Sequence, residues 1–172
     1  MISLAVTGKK RYYAWNMYQR KSLTIHTHNM QETEILGEQI GKRLTGGEVI
    51  ELVSDLGGGK TALTRGIAKG LGSADRVMSP TFTISRVYTS GPLQMIHYDF
   101  YRLDDPGLLR HELEESFNDS RTVTVIEWAH IVKDILPENR ITVSIDKTGD
   151  DSRVFTVQYP EELAYLMENI KA

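Results

Sequence analysis

A glycine-rich segment near the middle of the chain has residue types that bind phosphate. It is SDLGGGKT over residues 54–61, with Gly57, Gly58 and Gly59 followed by Lys60 and Thr61. Consecutive glycines let backbone N–H groups turn inward around phosphate oxygens, and a helix that starts directly after them adds its free N-terminal donors to the same anion site. Lys60 would reach the outer phosphates as a point charge, and the Thr61 hydroxyl would bind Mg²⁺. The pattern therefore predicts a nucleotide-binding phosphate loop.

The context of this segment distinguishes it from a chance match. Gly-Lys occurs three times in the chain, but only Gly59-Lys60 is followed by a hydroxyl residue and lies between a predicted strand and a predicted helix. Ser54 stands where the phosphate-loop pattern has its first glycine, which restricts the backbone where the loop begins. A glycine-rich surface turn is the alternative interpretation, and nucleotide binding is favoured over it.

Two carboxylates are placed to complete such a site. Glu127 directly follows an apolar strand, and Asp99 ends another strand-like stretch. The carboxyl ends of parallel strands lie at the sheet edge that bears the phosphate loop, so both side chains are expected there. One would hold Mg²⁺ or its waters, and the other would position the attacking water or complete the metal shell. For each, a surface carboxylate or a strand-end cap is the alternative.

The remaining candidates have weaker signals. Trp128 is a candidate cover for the nucleotide, although a tryptophan at a strand end is more often a core residue. Thr81, within Ser79–Phe82, is a possible switch residue that senses the γ-phosphate, and otherwise belongs to a turn. Arg102 would neutralise developing charge or pair with one of the aspartates that follow it. The five histidines have no convincing metal-ligand spacing; they are His26, His28, His97, His111 and His130.

Hydrophobic periodicity predicts the elements that would position these residues. Strands are expected at Ser22–His28, Glu48–Ser54, Thr81–Thr89, Leu93–Tyr101, Thr122–Ile126, Arg140–Ile145 and Arg153–Tyr159. Helices are expected from Asn29 to Gly46, from Lys60 to Gly72, over Asp104–Asn118 with Leu108 on its inner stripe, up to Leu136, and over Glu161–Ile170. The order predicts an α/β fold: a single P-loop NTPase domain with a mixed parallel and antiparallel central sheet flanked by helices.

Composition and charge exclude several function classes. The chain has 172 residues, 40% of them hydrophobic and 25% charged, as is usual for one globular domain. It has no cysteine, which excludes disulfides, thiol catalysis and cysteine zinc sites. Its net charge of −3 argues against a dedicated nucleic-acid binder, and no apolar run is long enough to cross a bilayer. We expect a soluble, cytoplasmic protein with no membrane partner.

The positive charge is concentrated at the N-terminus. Residues 1–31 contain five basic and no acidic side chains, which leaves fifteen basic and twenty-three acidic residues, or −8, in the rest. We expect residues 1–21 to be a loosely structured basic extension and residues 22–172 to form the P-loop domain. A targeting peptide and an RNA-contacting arm are the alternatives for the extension. Met17 and Met30 are alternative start positions.

Four motifs in a fixed order resemble those of a known family. DLGGGKT, SPTFT, HYDFYRL and IEWAH follow one another between residues 55 and 130. From about Ser22 to its C-terminus, the chain resembles the TsaE family of P-loop ATPases. Membership implies an ATPase, weak alone, that supports threonylcarbamoyladenosine (t6A) modification of the adenosine beside the tRNA anticodon. It also implies docking on the TsaD and TsaB proteins, with tRNA contacted at most through that complex.

The resemblance also implies roles for individual residues. It implies ATP binding by Gly57, Gly58, Gly59, Lys60, Thr61, Ala62 and Trp128, Mg²⁺ binding by Thr61 and Glu127, and catalytic roles for Lys60, Asp99 and Glu127. Three positions depart from the family pattern: Ser54 for a glycine, Ala62 for a second threonine, and His130 for an acid. None of these departures changes a candidate catalytic residue.

Two other functions are compatible with a phosphate loop. A small-molecule kinase would close an arginine-bearing lid over its acceptor to exclude water, and no arginine cluster follows the loop. A nucleotide-gated binding module would order Ser79–Phe82 and the acidic Asp104–Asp119 segment to dock a partner, with little hydrolysis. The acidity of residues 32–172 favours protein partners with basic surfaces, and any direct tRNA contact is expected from residues 1–21.

Overall fold

The central feature of the fold is one seven-stranded sheet in the computed structural model, which describes residues 20–170. The strands are β1 (Lys21–Thr27), β2 (Val49–Val53), β3 (Ser85–Ser90), β4 (Leu93–Asp99), β5 (Thr122–Glu127), β6 (Ile141–Lys147) and β7 (Arg153–Tyr159). Their order across the sheet is β1-β7-β6-β2-β5-β4-β3. The β2/β5, β2/β6 and β4/β5 pairs are parallel, and the β1/β7, β3/β4 and β6/β7 pairs are antiparallel. The predicted mixed sheet and both predicted hairpins are confirmed.

The extension predicted over residues 1–21 falls almost entirely outside the described residues. Arg20 is the first described residue, and its Nη2 donates to the carbonyl oxygens of Arg140 at 2.7 Å and Gln158 at 3.0 Å. These bonds tie the start of β1 to β6 and β7.

Helices cover both faces of the sheet. They are α1 (Met30–Gly41), α2 (Lys60–Leu71) and α3 (Leu109–Asn118), with 3₁₀ segments at Ala129–Val132 and Glu161–Met167. The core lies in two apolar clusters, one containing Val123 and Val125 of β5 with α1 and α2, the other containing Ile126 with α3. The core is divided in this way because successive side chains of a strand point to opposite faces of the sheet, so that Val123 and Val125 lie on one face and Ile126 on the other. Within residues 20–170, no helix is long and apolar enough to cross a membrane.

The N-terminus of α1 forms as its sequence predicts. The Asn29 Oδ1 accepts a hydrogen bond from the Glu32 backbone N–H at 2.8 Å, and Glu32 Oε2 accepts from the backbone N–H of His28 at 2.7 Å. These bonds satisfy donors that a helix start leaves free.

Glycines bring the backbones of α1 and α2 into direct contact. Gly37 and Gly41 on α1 face Gly66 and Gly70 on α2, each pair spaced four residues apart and so on one helix face. A Cβ atom added to Gly66 would lie 2.1 Å from the Glu34 carbonyl oxygen. The close approach therefore requires residues without side chains, and it fixes α2, which starts at the phosphate loop, against α1.

Several predicted elements are shorter than expected. The strand predicted at Thr81–Thr89 begins only at Ser85, because the backbone N–H groups of Thr83 and Ile84 turn back to the Pro80 carbonyl oxygen at 2.8 and 2.6 Å. Ile84 has a left-handed φ of 67°, which is incompatible with an extended strand.

The helix predicted at Asp104–Asn118 begins only at Leu109, after a turn at Pro106 and Gly107. Leu108 is 83% exposed, so its predicted place on the inner stripe is wrong. The predicted C-terminal helix is a 3₁₀ segment, Glu161–Met167. The helix from Asn29 ends at Gly41, before the predicted stop at Gly46.

A buried carboxylate stabilises the turn before β2. Burial alone would raise the pKa of Glu48, but hydrogen bonds from the backbone and hydroxyl of Thr45, the phenol of Tyr165 and the backbone of Gly46 outweigh it and lower that pKa. Their lengths are between 2.7 and 2.9 Å. A lowered pKa stabilises the fold above the unfolded-state pKa, and the stabilisation is lost as the pH falls through the folded-state pKa.

We therefore expect Glu48→Gln to lower the free energy of unfolding by about 1–3 kcal/mol at neutral pH. The difference from the wild type should shrink as the pH falls below about 4.3, where Glu48 of the unfolded chain takes up a proton, and it should disappear only below the lower pKa of the folded state. Urea unfolding of both proteins at about pH 7 and about pH 3 measures this. A difference that is the same at both pH values would show that the charge of Glu48 does not matter.

Candidate active site

The glycine-rich segment forms a loop between β2 and α2, as predicted. Gly57 and Gly59 have left-handed φ values of 74° and 111°, which residues with side chains rarely adopt. The backbone N–H groups of Ala62 and Leu63 already bond to the Gly59 carbonyl oxygen, both at 3.1 Å. The N–H groups of Lys60 and Thr61 precede these bonds, and a helix start leaves such groups without a helical carbonyl partner and able to bind an anion.

The serine that replaces the expected first glycine is accommodated by a neighbouring glycine. A Cβ atom on Gly58 would lie 1.8 Å from the Ser54 Oγ, so the Ser54 side chain occupies space that Gly58 leaves empty. Ser54 Oγ also donates to the Asp55 carbonyl oxygen at 2.9 Å. The loop keeps its turn despite the departure from the pattern.

The side chain of Lys60 is buried at the centre of the site. Its Nζ donates to the carbonyl oxygens of Ser54 at 3.2 Å and Asp55 at 3.0 Å, and it lies 3.8 Å from Glu127 Oε2. The same Nζ is 4.8 Å from the ring centroid of Trp128, a cation–π distance. The predicted lysine, acid and tryptophan therefore meet at one point.

The two predicted carboxylates lie side by side at the carboxyl ends of β4 and β5. Asp99 and Glu127 are register partners, and each is 3% exposed. Asp99 Oδ1 accepts from the Tyr101 backbone N–H at 3.0 Å, and its Oδ2 accepts a short hydrogen bond from the Thr81 hydroxyl. Ser79 Oγ is 3.5 Å from the same Oδ2. Thr81, which the sequence predicts to be a possible switch residue, therefore contacts Asp99 in the site.

Trp128 has an unusual backbone conformation. Its φ of 58° is left-handed, which is strained for a bulky side chain and is a feature that clusters at functional sites. Its ring lies 5.0 Å from that of Tyr101, tilted by 51°. The strained turn after β5 therefore directs the indole over Lys60.

Two functional candidates were missed in the sequence. His97 lies two residues before Asp99 on β4, and its Nε2 is 2.9 Å from Glu127 Oε1. The spacing of two, which puts both residues on one face of the strand, was the available signal.

Arg153, the first residue of β7, is the other. It donates to the carbonyl oxygens of Gly58 at 2.9 Å and Gly57 at 3.4 Å, and to those of three residues in the β6–β7 turn. These bonds connect the phosphate loop to the β6–β7 turn. No local pattern near residue 153 predicts this contact, which spans 95 residues.

Most of these residues, although not Ser54 or the buried His97, border one cleft of about 360 Å³, a volume in the range of small-molecule sites. One wall consists of the phosphate loop with Lys60, Thr61 and Ala62. Another consists of Ser79, Thr81, Asp99, Tyr101, Glu127 and Trp128. The remaining lining residues are Met30, Thr33, Arg65, Asp151 and Arg153. Arg102 is not among the lining residues and stacks on Phe82, with its Cζ 4.5 Å from the ring centroid.

The oxygen donors of the cleft suit Mg²⁺ with a phosphate. Within residues 20–170, no group of three or more His, Asp or Glu side chains is arranged to hold a metal alone. The Thr61 hydroxyl and the Glu127 carboxylate both border the cleft, and Mg²⁺ is usually held by one or two such groups together with substrate phosphates and waters. The donor set therefore fits a magnesium–nucleotide complex.

Comparisons with known proteins agree with this architecture. A family model described as "Threonylcarbamoyl adenosine biosynthesis protein TsaE" matches residues 27–155. A Bacillus subtilis (strain 168) protein named tRNA threonylcarbamoyladenosine biosynthesis protein TsaE is 39% identical over 136 residues, covering 79% of this chain and 85% of its own. A protein of the same name from Treponema pallidum is 36% identical over 138 residues, covering 76% and 96%. The crystal structure of B. subtilis YdiB superposes with a TM-score of 0.74 at 34% identity, covering 89% of this chain and 96% of that one.

Proposed function

The chain belongs to the TsaE family, and on that premise we propose that it binds and hydrolyses ATP in support of t6A modification of tRNA. The observation that supports hydrolysis most directly is the meeting of Lys60, Asp99 and Glu127 at one end of a phosphate-loop cleft. A loop, a lysine and two carboxylates are the parts with which P-loop enzymes position and polarise a phosphoryl group.

ATP binding is assigned to Gly57, Gly58, Gly59, Lys60, Thr61, Ala62 and Trp128. The loop N–H groups would hold the phosphates, and Lys60 would exchange its two backbone carbonyl partners for the oxygens of the β- and γ-phosphates. Trp128 would cover the nucleotide and exclude water. Arg153, which borders the cleft, would hold the loop in its conformation through its bonds to the Gly57 and Gly58 carbonyl oxygens.

Mg²⁺ is assigned to Thr61 and Glu127, and when bound it neutralises charge on the phosphate oxygens. Asp99 would orient the attacking water. Its Oδ2 is engaged by Thr81, so we propose that Thr81 acts as a switch by leaving Asp99 for the γ-phosphate. That exchange would free Oδ2 to accept a hydrogen bond from the water.

TsaD and TsaB are the proposed partners, and tRNA would be reached through their complex. Exposed apolar side chains near the cleft support a protein partner there: Leu56, which lines the cleft, is 64% exposed, and Phe82, next to Thr81, is 82% exposed. Residues 1–21 remain proposed as a basic extension preceding the ATPase domain, and a cytoplasmic location is likewise proposed.

The test measures phosphate release from Mg-ATP by the purified protein, alone and with a TsaB–TsaD pair. We expect slow release that the pair stimulates. In Glu127→Ala we expect a loss of about 100-fold or more, since a metal ion contributes several kcal/mol to transition-state stabilisation. Nucleotide affinity without Mg²⁺ should remain. Glu162→Ala, an exposed acid in the C-terminal 3₁₀ segment, is the matched control.

Three outcomes would contradict parts of this proposal. Wild-type hydrolysis by Glu127→Ala would exclude the metal role. Transfer of phosphate to an added metabolite, in place of release, would indicate a small-molecule kinase. Nucleotide-dependent binding to the pair without hydrolysis would indicate a nucleotide-gated module.

A further inference from the structure

The buried imidazole of His97 has a single polar partner in the described part of the chain. His97 is fully buried in β4, and its Nε2 lies 2.9 Å from Glu127 Oε1. Its Nδ1 is also buried and has no hydrogen-bond partner among residues 20–170. Within these residues, the only hydrogen bond of the His97 side chain is therefore the one to an oxygen of the proposed metal ligand, Glu127.

The unpaired Nδ1 indicates where the imidazole proton is. A carboxylate oxygen only accepts hydrogen bonds, so the contact with Glu127 requires the proton on Nε2. With the proton on Nδ1, the buried Nδ1–H would have no acceptor, and the lone pair of Nε2 would face the negatively charged carboxylate. His97 is thus a donor to Glu127 Oε1.

We propose that His97 is a positioning residue that fixes the Glu127 carboxylate for metal binding. With Oε1 held by His97, Oε2 is the oxygen turned toward Lys60 Nζ, 3.8 Å away, at the cleft wall. A glutamate side chain has several rotatable bonds, and holding it in one orientation lowers the entropy lost when a metal binds. This inference rests on the proposed role of Glu127 as a magnesium ligand.

The location of the pair argues for this role over a purely structural one. A buried polar pair contributes little net stability compared with apolar side chains of similar volume. The neighbouring positions of β4 and β5 are filled by such residues, including Met95 and Val125. Within β4 and β5, a buried histidine stands in place of an apolar residue only at position 97, near Asp99 and the Glu127 carboxylate.

The experiment measures Mg²⁺ and Mn²⁺ binding to the ADP-bound protein by calorimetry, and ADP binding in EDTA separately. The key comparison is between His97→Gln and His97→Asn, because both side chains end in an amide group but the Gln side chain is one methylene longer. The longer Gln amide reaches the Nε2 position, whereas the Asn amide stops short of Glu127. His97→Phe removes the donor and keeps a ring, and Thr124→Val removes a buried hydrogen bond to Ser116 elsewhere in the sheet as the control.

We expect His97→Asn and His97→Phe to weaken metal binding by about 10–100-fold, the usual effect of losing such a supporting hydrogen bond. His97→Gln should recover most of the affinity, and ADP binding in EDTA should stay within about twofold for all variants. A structural role would instead lower the unfolding temperature of Asn and Gln variants alike, without separating their metal affinities.

Two results would overturn the inference in distinguishable ways. If Glu127→Ala weakens metal binding but all His97 variants bind like the wild type, His97 does not position the ligand and the proposed function stands. If Glu127→Ala itself leaves metal binding unchanged, the metal assignment fails and the role of His97 fails with it.

Discussion

Lys60→Ala is expected to weaken nucleotide binding by about 100-fold or more. Lys60 is 6% exposed, and its ammonium is surrounded by two carbonyl oxygens, a carboxylate and an aromatic ring. A charge-assisted hydrogen bond contributes about 1.5–3 kcal/mol, so two bonds to phosphate correspond to a loss of about 100-fold or more in affinity. Lys60→Ala should lose hydrolysis together with binding, whereas Glu127→Ala should lose hydrolysis and keep its nucleotide affinity without Mg²⁺.

Calorimetric titration with ADP and with a non-hydrolysable ATP analogue measures this loss. Lys69→Ala is the matched control, because Lys69 lies on the same helix but is exposed and paired with Glu38. Urea unfolding of Lys60→Ala should be measured beside the titration, to show that the variant still unfolds cooperatively. This control is needed because the substitution leaves Glu127 without its nearest cation. An affinity equal to that of the control would mean that the cleft is not a phosphate site.

Gly66→Ala is expected to be the most destabilising conservative change in the α1–α2 contact. The new Cβ would lie 2.1 Å from the Glu34 carbonyl oxygen and 2.9 Å from the Glu38 nitrogen, and both are backbone atoms of α1. Overpacking of this kind costs about 1–3 kcal/mol or more, and it outweighs the gain of about 1 kcal/mol that alanine brings to a helix interior. Because α2 begins at the phosphate loop, nucleotide affinity should fall as well.

Urea unfolding measures the effect, with Gly149→Ala as the control. A Cβ at Gly149 would approach no atom closer than 3.6 Å, so the same substitution there should change the free energy of unfolding by less than about 0.5 kcal/mol. Equal stabilities for the two variants would show that the two helices can separate without loss.

Hydrophobic periodicity and the glycine-rich loop predicted most of the architecture. The apolar patterns of β2, β5 and α2 are strong, and β2 and α2 flank the loop. The meeting of Asp99 and Glu127 was predictable too, since both end strands that parallel pairing brings to one edge. Patterns of this kind depend only on local sequence and on general rules of sheet geometry.

The remaining features depend on contacts between distant segments. The turn at Pro80 that shortens β3 and the Pro106-Gly107 turn that delays α3 override weak local preferences. Arg153 reaches the phosphate loop from a strand 95 residues away, and no spacing rule connects them. The glycines of α1 and α2 were visible as four-residue repeats, but their partners become evident only when the helices are packed.

The glycine contact between α1 and α2 also determines which parts of the cleft can move. With no side chains separating the two backbones, the helices are coupled as one rigid body, and Met30 of α1 moves together with Lys60 of α2. Asp99 and Glu127 are equally constrained by the sheet. Closure around a nucleotide is thereby left to segments outside this frame, such as the loop before β3, which carries Ser79 and Thr81 at the cleft.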